Sequence, residues 1–257
     1  MKYAIMSDVH ANPRAFAVAL ADAKSRGCER HILLGDLTGY GYDASESIVM
    51  AQRACDVVLM GNHDSACLDL ETGISSRLNP NYALDHRHRT QISDAQVKWL
   101  RSRPYLHEEG NLAFVHGDFV NPRAWNYVFE TSEVVRNFVS HPADLLFCGH
   151  THHAAAWEMI PEKGIFRPKC DDKLMQPAVK PEAISFTLRE SHRYLVNVGS
   201  VGYPRNDLCM TYVIYDSDSR RVTFRRLPFD FKSYITDMLA HKVNLPDWLQ
   251  ELLMQAR

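Results

Sequence analysis

Short, uninterrupted apolar runs recur along this chain, and each gives way at once to a narrow choice of polar residues. Tyr3-Ala4-Ile5-Met6 runs into Ser7-Asp8-Val9-His10, His31-Ile32-Leu33-Leu34 into Gly35-Asp36, and Val57-Val58-Leu59-Met60 into Gly61-Asn62-His63-Asp64. Leu112-Ala113-Phe114-Val115 ends in His116-Gly117, and Leu145-Leu146-Phe147-Cys148 ends in Gly149-His150-Thr151-His152. Four apolar residues without alternation predict a strand covered on both faces, as in parallel sheets. Ligands of open α/β sheets bind outside the carboxyl ends of the strands, which is where all five runs deliver Asp, Asn or His.

Between the runs the period changes to that of helices. Asn12 as N-cap and Pro13 at the first helical position start one, Ala15, Phe16, Ala19, Leu20 and Ala23 form its apolar face, and Gly27 stops it. Asp43 with Glu46 three residues on predicts a second, with Ile48 and Val49 inside. Strand, helix, strand, helix, strand calls for a parallel sheet with right-handed crossovers. Residues 67 to 105 form a helical excursion, in which Ser93-Asp94-Ala95-Gln96 caps a helix through Trp99 and Leu100 that ends before Pro104. The charged run Asp85-His86-Arg87-His88-Arg89 reads mostly as a solvated helix face, with one or two side chains reaching over the site toward an anionic substrate. A helix from Glu133 to Ser140, with Val134, Val135, Phe138 and Val139 apolar, leads into the Leu145 run.

After residue 153 the pattern turns to strands at Ala154–Ile160, Tyr194–Val198, Met210–Tyr215 and Arg221–Leu227, with Asp216-Ser217-Asp218-Ser219 as a hairpin turn. A Pro-rich excursion at 161–193 carries Pro161, Pro168, Pro177 and Pro181 and cannot be a regular helix. This later set is expected to form an antiparallel sheet packed face to face on the first. Tyr234–Leu239 and Pro246–Met254 read as helices.

Composition narrows the class. The 257 residues, 46% of them hydrophobic, suffice for a sizeable core, and one domain over 1–257 is expected. A net charge of −2, from 29 basic and 31 acidic residues, offers no basic field, so no strong nucleic-acid binding is expected. No charged-then-apolar leader and no run of eighteen apolar residues is present, so the expectation is a soluble, cytoplasmic protein without membrane contact. Nothing in the sequence specifies an oligomeric state. Six cysteines (Cys28, Cys55, Cys67, Cys148, Cys170, Cys209) lack any C-x-x-C pair and read as structural, reduced thiols. No G-x-G-x-x-G or G-x-x-x-x-G-K-[ST] follows the first strand, so no Gly-rich loop cradles phosphate.

The candidate chemistry lies in Asp8, His10, Asp36, Asn62, His63, His116, His150 and His152. Nitrogen and oxygen donors without thiolate suit manganese, iron, zinc, cobalt or nickel. The donors are too many for one ion, which points to two metals sharing a carboxylate with positions left open for water and substrate.

In this order, D-x-H, G-D, G-N-H-D, H-G and G-H-T-H resemble the five motifs of the calcineurin-like metallophosphoesterases. Gly39-Tyr40-Gly41, Asn197-Val198-Gly199-Ser200-Val201-Gly202 and Pro204-Arg205 are similar to a bacterial branch of small predicted phosphoesterases. The resemblance implies an α/β metallophosphoesterase sandwich, two mixed β-sheets flanked by helices in α-β-β-α layers. It implies that Asp8, His10, Asp36 and His152 hold one metal and Asp36, Asn62, His116 and His150 the other, with Asp36 bridging. It further implies that a metal-bound hydroxide attacks phosphorus, that His63 serves the leaving oxygen rather than a metal, and that Asp64 orients His63. Asn12, Tyr40, Arg123 and Arg205 are further candidates for binding phosphate, with capping or surface exposure an equal expectation for each. The implied activity is hydrolysis of phosphomonoesters or phosphodiesters of a small or nucleotide-like substrate. Dinucleoside polyphosphate hydrolase, protein phosphatase and nuclease are variants of it, and a non-catalytic scaffold on the same fold is the alternative from another class. A scaffold is expected to have lost ligands, and every motif position is present here.

Overall fold

The computed structural model describes residues 1–69, 82–166, 182–205 and 209–243. Among these residues, twelve strands form two six-stranded sheets. The first takes β1 (Lys2–Met6), β2 (Arg30–Leu33), β3 (Val57–Val58), β9 (Glu182–Thr187), β11 (Cys209–Asp216) and β12 (Arg221–Pro228), in the order β3-β2-β1-β11-β12-β9. The second takes β4 (Leu106–Glu109), β5 (Leu112–Val115), β6 (Leu145–Cys148), β7 (Ala154–Ile160), β8 (Gly164–Phe166) and β10 (Arg193–Val198), in the order β4-β5-β6-β10-β7-β8. Both are mixed. β1, β2 and β3 are parallel, as are β5, β6 and β10, and the remaining pairs are antiparallel.

The uninterrupted apolar runs have a direct cause. Ile5, Ile32, Phe114, Phe147, Val196 and Val213 share one buried cluster, formed where the two sheets face each other. Their neighbours in sequence point the other way. Ala4, Met6 and Leu33 pack with Phe16, Ala19 and Ile48 of the helices α1 (Pro13–Ser25) and α2 (Ala44–Ala54), and Ala113, Val115, Leu146 and Cys148 pack with Val134 and Phe138 of α6 (Thr131–Ser140). Each central strand is thus covered on both faces, so alternation has no solvent side to report. Layered helix, sheet, sheet, helix, this is the α/β sandwich that the resemblance implied.

Local signals account for the helix starts. Asn12 Oδ1 accepts from Ala15 N at 3.0 Å, Asp43 from Glu46 N at 3.0 Å, and Ser93 with Gln96 closes a capping box on α5 (Asp94–Arg101). The carboxyl end of α6 is closed from outside: Arg193, opening β10, donates to the carbonyls of Phe138, His141 and Ala143. Asp22 of α1 receives a two-pronged ion pair from buried Arg225 of β12, at 2.8 and 3.0 Å, and a hydrogen bond from Tyr212 of β11 at 2.7 Å.

Several expectations are corrected. The later strands do not make a second sheet of their own: β11 extends the open edge of the first parallel set as an antiparallel neighbour of β1, and β10 extends that of the second as a parallel neighbour of β6. Two pieces of the Pro-rich stretch are edge strands, β8 and β9, where proline nearby is tolerated because one side needs no partner. Within the excursion, α3 (Asn62–Asp69) starts earlier than expected, directly on the Gly61 turn, and is followed by α4 (Tyr82–Gln91) and α5. Only half of the apolar set on α6 is core, since Val135 and Val139 face solvent. The tail helix is α7 (Phe231–Ala240); the expected helix at Pro246–Met254, Cys170 and the side chains of Asp85 and His86 lie outside the described residues.

Candidate metal centre

The loops after β1, β2, β3, β5 and β6 converge at one end of the sandwich, where both sheets contribute. The loops after β1 and β2 are zipped by backbone bonds from Asp8 N to Gly35 O, His10 N to Asp36 O and Ala11 N to Leu37 O. Across the sheets, His150 N donates to Asp8 Oδ2 at 3.0 Å, and within the second sheet Gly149 N donates to the carbonyl of His116. The segment after β10 closes over Asp8, whose carbonyl accepts from Gly202 N and the Ser200 hydroxyl, while Asn197 Nδ2 holds the Gly149 carbonyl at 2.7 Å.

This convergence is strained where the candidate ligands sit. Asp8, His10, Asp36, His150 and His152 all have positive φ, between 50° and 66°. Side chains rarely adopt that region, at a cost of roughly 1–3 kcal/mol each, and such residues cluster at functional sites. Two glycines allow the close approach. A Cβ on Gly61 would lie 2.1 Å from Asp36 Oδ1, and one on Gly149 would lie 2.2 Å from Ser7 Oγ and 2.8 Å from Asp8 Oδ2.

Each histidine is set by a backbone carbonyl, which only accepts. His10 Nδ1 donates to Thr38 O at 3.0 Å, His116 Nδ1 to Leu34 O at 3.2 Å, and His152 Nδ1 to Tyr203 O at 2.5 Å. Their Nε2 atoms therefore face the cluster. His150 is reversed: Nε2 donates to Trp125 O at 2.9 Å, leaving Nδ1 as its lone-pair nitrogen. His10 Nε2 and His152 Nε2 meet at 2.9 Å, and Asp8 Oδ1 lies 3.3 Å from His152 Nε2 and 3.6 Å from His10 Nε2. Asp36 Oδ2 lies 3.3 Å from His116 Nε2 and 3.7 Å from His10 Nε2, and Asn62 Oδ1 lies 3.0 Å from His116 Nε2.

Asp8 Oδ1 and Asp36 Oδ2 are buried without a hydrogen-bond partner. Two orphaned carboxylate oxygens facing imidazole nitrogens that are aimed inward fit a bound cation. Among the described residues, three groups of donors are close enough to hold an ion: Asp8 with His10 and His152, Asp36 with His116 and His150, and His10 with Asp36 and His63. The charge states agree. Burial alone would raise Asp8 and Asp36, but His152 and His10 around the first and His116 and His63 around the second hold both well below the usual carboxylate range. Burial pulls His10 down to about 3 and His150 to about 4, so both are neutral donors. Burial also acts against a charge on His116, but Asp36 outweighs it and lifts the ring to about 9, so a metal there must displace a proton.

A sequence model of the calcineurin-like phosphoesterase superfamily domain matches residues 1–220. The chain belongs to this superfamily. An uncharacterized protein of Methanocaldococcus jannaschii is 29% identical over 260 residues, covering 99% of this chain and 98% of its own. The crystal structure of a metallophosphoesterase from Sphaerobacter thermophilus superposes with a TM-score of 0.75 at 28% identity, covering 99% of this chain and 98% of that one. A symmetrical bis(5'-nucleosyl)-tetraphosphatase of Methylococcus capsulatus is 29% identical over 100 residues, 38% of this chain and 35% of its own.

For a superfamily member, the surroundings of the cluster are informative. Asp8, His10, Asp36, Asn62, His63, His116, His150 and His152 come together. Asp64 gives its oxygens to Thr38 N at 2.9 Å and Gly61 N at 3.2 Å, bracing the loop that carries His63; burial, then Asp36, raises it to about 6. His63 is buried, its N–H donates to Asp36 Oδ1 at 2.9 Å, and its ring stands edge-on to His10 at 5.1 Å. Tyr40 packs against His10 and His63 at 4.6 and 4.7 Å and stacks on Tyr203 at 4.4 Å, and Arg205 Nη2 donates to its hydroxyl at 3.3 Å.

The other two candidates lie elsewhere. Asn12 is wholly buried, with Oδ1 on Ala15 N and Nδ2 on Gly202 O, so it is a cap and a strut rather than a substrate contact. Arg123 is exposed and lies over the Tyr105 ring at 4.3 Å, which itself leans on Trp125 beside His116. From the charged run, His88 faces inward: it accepts from Gly39 N at 3.0 Å and donates to Gly41 O at 3.1 Å, gripping the Tyr40 loop instead of a substrate. Trp125, Tyr127 and Tyr203 complete the wall. Tyr203 adjoins the Pro204-Arg205 pair, but Trp125 and Tyr127 lie in an aperiodic loop that gave no signal.

Proposed function

We propose that the protein is a dinuclear-metal-dependent phosphoesterase acting on phosphomonoesters or phosphodiesters of a small or nucleotide-like substrate in the cytoplasm. The observation that carries this is the pair of orphaned oxygens, Asp8 Oδ1 and Asp36 Oδ2, buried among histidines whose tautomers are set by carbonyls. Asp8, His10, Asp36 and His152 would hold one ion and Asp36, Asn62, His116 and His150 the other. When bound, manganese, iron, zinc, cobalt or nickel would supply Lewis acidity and an activated water.

The chain's own residues do the rest. Arg205, partly buried and with no carboxylate at ion-pair distance among the described residues, orients the phosphoryl oxygens together with the Tyr40 hydroxyl. His63, in the wall beside His10 and Asp36, delivers a proton to the leaving oxygen. Asp64 positions the loop that presents it. A second reading, hydrolysis of a dinucleoside polyphosphate, is favoured by the 100-residue likeness to the bis(5'-nucleosyl)-tetraphosphatase.

The test is metal content and turnover measured together. Purified protein supplemented with each metal in turn is expected to bind about two ions and hydrolyse a nitrophenyl phosphate monoester or diester. Absence of turnover with two ions bound would favour the scaffold on the same fold.

A further inference from the structure

Three of the eight large apolar side chains exposed among the described residues, Val120, Tyr127 and Phe129, belong to the single loop that leaves His116 and enters α6. The loop starts at a candidate ligand and returns to a second. Tyr127 lies flat on the His150 ring, centroids 4.2 Å apart and planes within 7°, while remaining 44% exposed. Its hydroxyl lies in the electrostatic reach of the Arg205 guanidinium, which donates to the neighbouring Tyr40 hydroxyl at 3.3 Å. Phe129, 43% exposed, continues the surface 5.6 Å from Tyr127, and is itself held edge-on by His153 at 5.6 Å.

We infer that Tyr127 and Phe129 form a stacking subsite for a planar heteroaromatic ring, the base of a nucleotide, carried on the alcohol side of the ester. The inference rests on the phosphoesterase reading and deepens it. Arg205 is the link: a phosphoryl group held between its guanidinium and His150 has Tyr127 as the next surface on that side, because Tyr127 stacks on His150 and lies in the electrostatic reach of Arg205. An apolar aromatic surface contiguous with a cation and a metal-type cluster matches a molecule that joins phosphate to a ring. Sugar phosphates and phosphoserine side chains have nothing to place there. An aromatic residue also loses little conformational freedom on stacking, which suits a site that recognises any base by its π face.

The test uses a matched pair in which leaving-group basicity cancels. Adenosine 5'-monophosphate and ribose 5-phosphate, or their methyl diesters, present the same primary alcohol and differ only in the base. With the metal-loaded protein, kcat/KM and calorimetric affinity are compared for wild type, Tyr127→Leu and Phe129→Leu, with melting curves to check the fold. The nucleotide is expected to be favoured by roughly 5- to 100-fold, the span of base stacking on one or two rings. Either leucine variant should reduce that ratio at least about fivefold. A wild-type ratio near one, or a ratio unaltered by both variants, overturns the subsite. If no ester is turned over, the phosphoesterase reading fails while the affinity ratio still decides the subsite.

Discussion

Gly61 puts the tolerance of this centre on a residue scale. The Cβ of Gly61→Ala would meet Asp36 Oδ1 at 2.1 Å, and Asp36 N at 2.3 Å, so either the Gly61 turn or the carboxylate must shift. Overpacking of this kind costs about 1–3 kcal/mol, and here it acts on the proposed bridging residue, so bound metal should fall more than stability does. Metal content against unfolding midpoint checks it; a variant with full metal and a lowered midpoint would show that the carboxylate is not the part that yields. Asp36→Asn makes the complementary change, removing the charge without adding bulk, and should lose most of both ions, whereas His10→Ala should leave the Asp36, His116, His150 group able to hold one. His63→Gln separates proton transfer from metal binding. General acid catalysis contributes roughly 10²- to 10⁴-fold, in proportion to the basicity of the leaving group. The variant should keep its metals and most of its nitrophenyl phosphatase activity while alkyl esters suffer far more. An equal loss across leaving groups of graded basicity would remove the assignment.

At the scale of elements, His88 is the contact through which α4 controls the Tyr40 loop. As Gly39 N–H donates to Nδ1, that nitrogen must be unprotonated, and burial pulls the ring down to about 4. A folded value below the ordinary 6.5 means that the unfolded chain takes up the proton first, so this contribution is complete above about pH 6.5 and is lost as pH falls toward 4. Its size is of the order of 3 kcal/mol. His88→Ala should be less stable than wild type at pH 7.5, with the difference shrinking toward pH 4; a constant difference across denaturant titrations at those pH values would show that the ring does not act through its neutral form. The strands and caps were legible because each rests on local chemistry: four apolar residues and a polar stop, or a side chain reaching an amide three residues on. His88 was not, because facing inward to grip a loop 47 to 49 residues away leaves no periodic trace in so polar a helix. The ligand set was legible for the opposite reason, since His, Asp and Asn after five separate strands are rare together. The partition of later strands between sheets was hidden, since β10 and β11 are equally apolar and only the edge each completes tells them apart.

For the whole molecule, the candidate ligands are divided between the sheets. Asp8, His10, Asp36 and Asn62 follow strands of the first, and His116, His150 and His152 follow strands of the second. Each proposed ion therefore joins the two: His152 reaches across to Asp8 and His10, and His116 to Asp36 and Asn62. Beneath the centre, Ile5, Phe114, Phe147 and Phe224 bury the interface between the sheets without any such link. A ligand that binds only the folded state adds RT ln(1 + [L]/Kd), about 4 kcal/mol at a thousandfold excess over Kd. Stripping metal should lower the melting temperature by several degrees without unfolding the protein, and re-addition of manganese or zinc should restore it. The loss should also be local. Amides at the crossing points, His150 N on Asp8 Oδ2, His63 N on Asp36 Oδ1 and Gly202 N on the Asp8 carbonyl, are expected to exchange with solvent faster in the stripped protein. Amides of β12 and β9, which lie on the far side of the first sheet from β2 and β3, should be unchanged. Hydrogen exchange with and without chelator reads this directly: a uniform rise in exchange over both sheets, or none at the crossing points, would mean that the ions do not bridge the sheets.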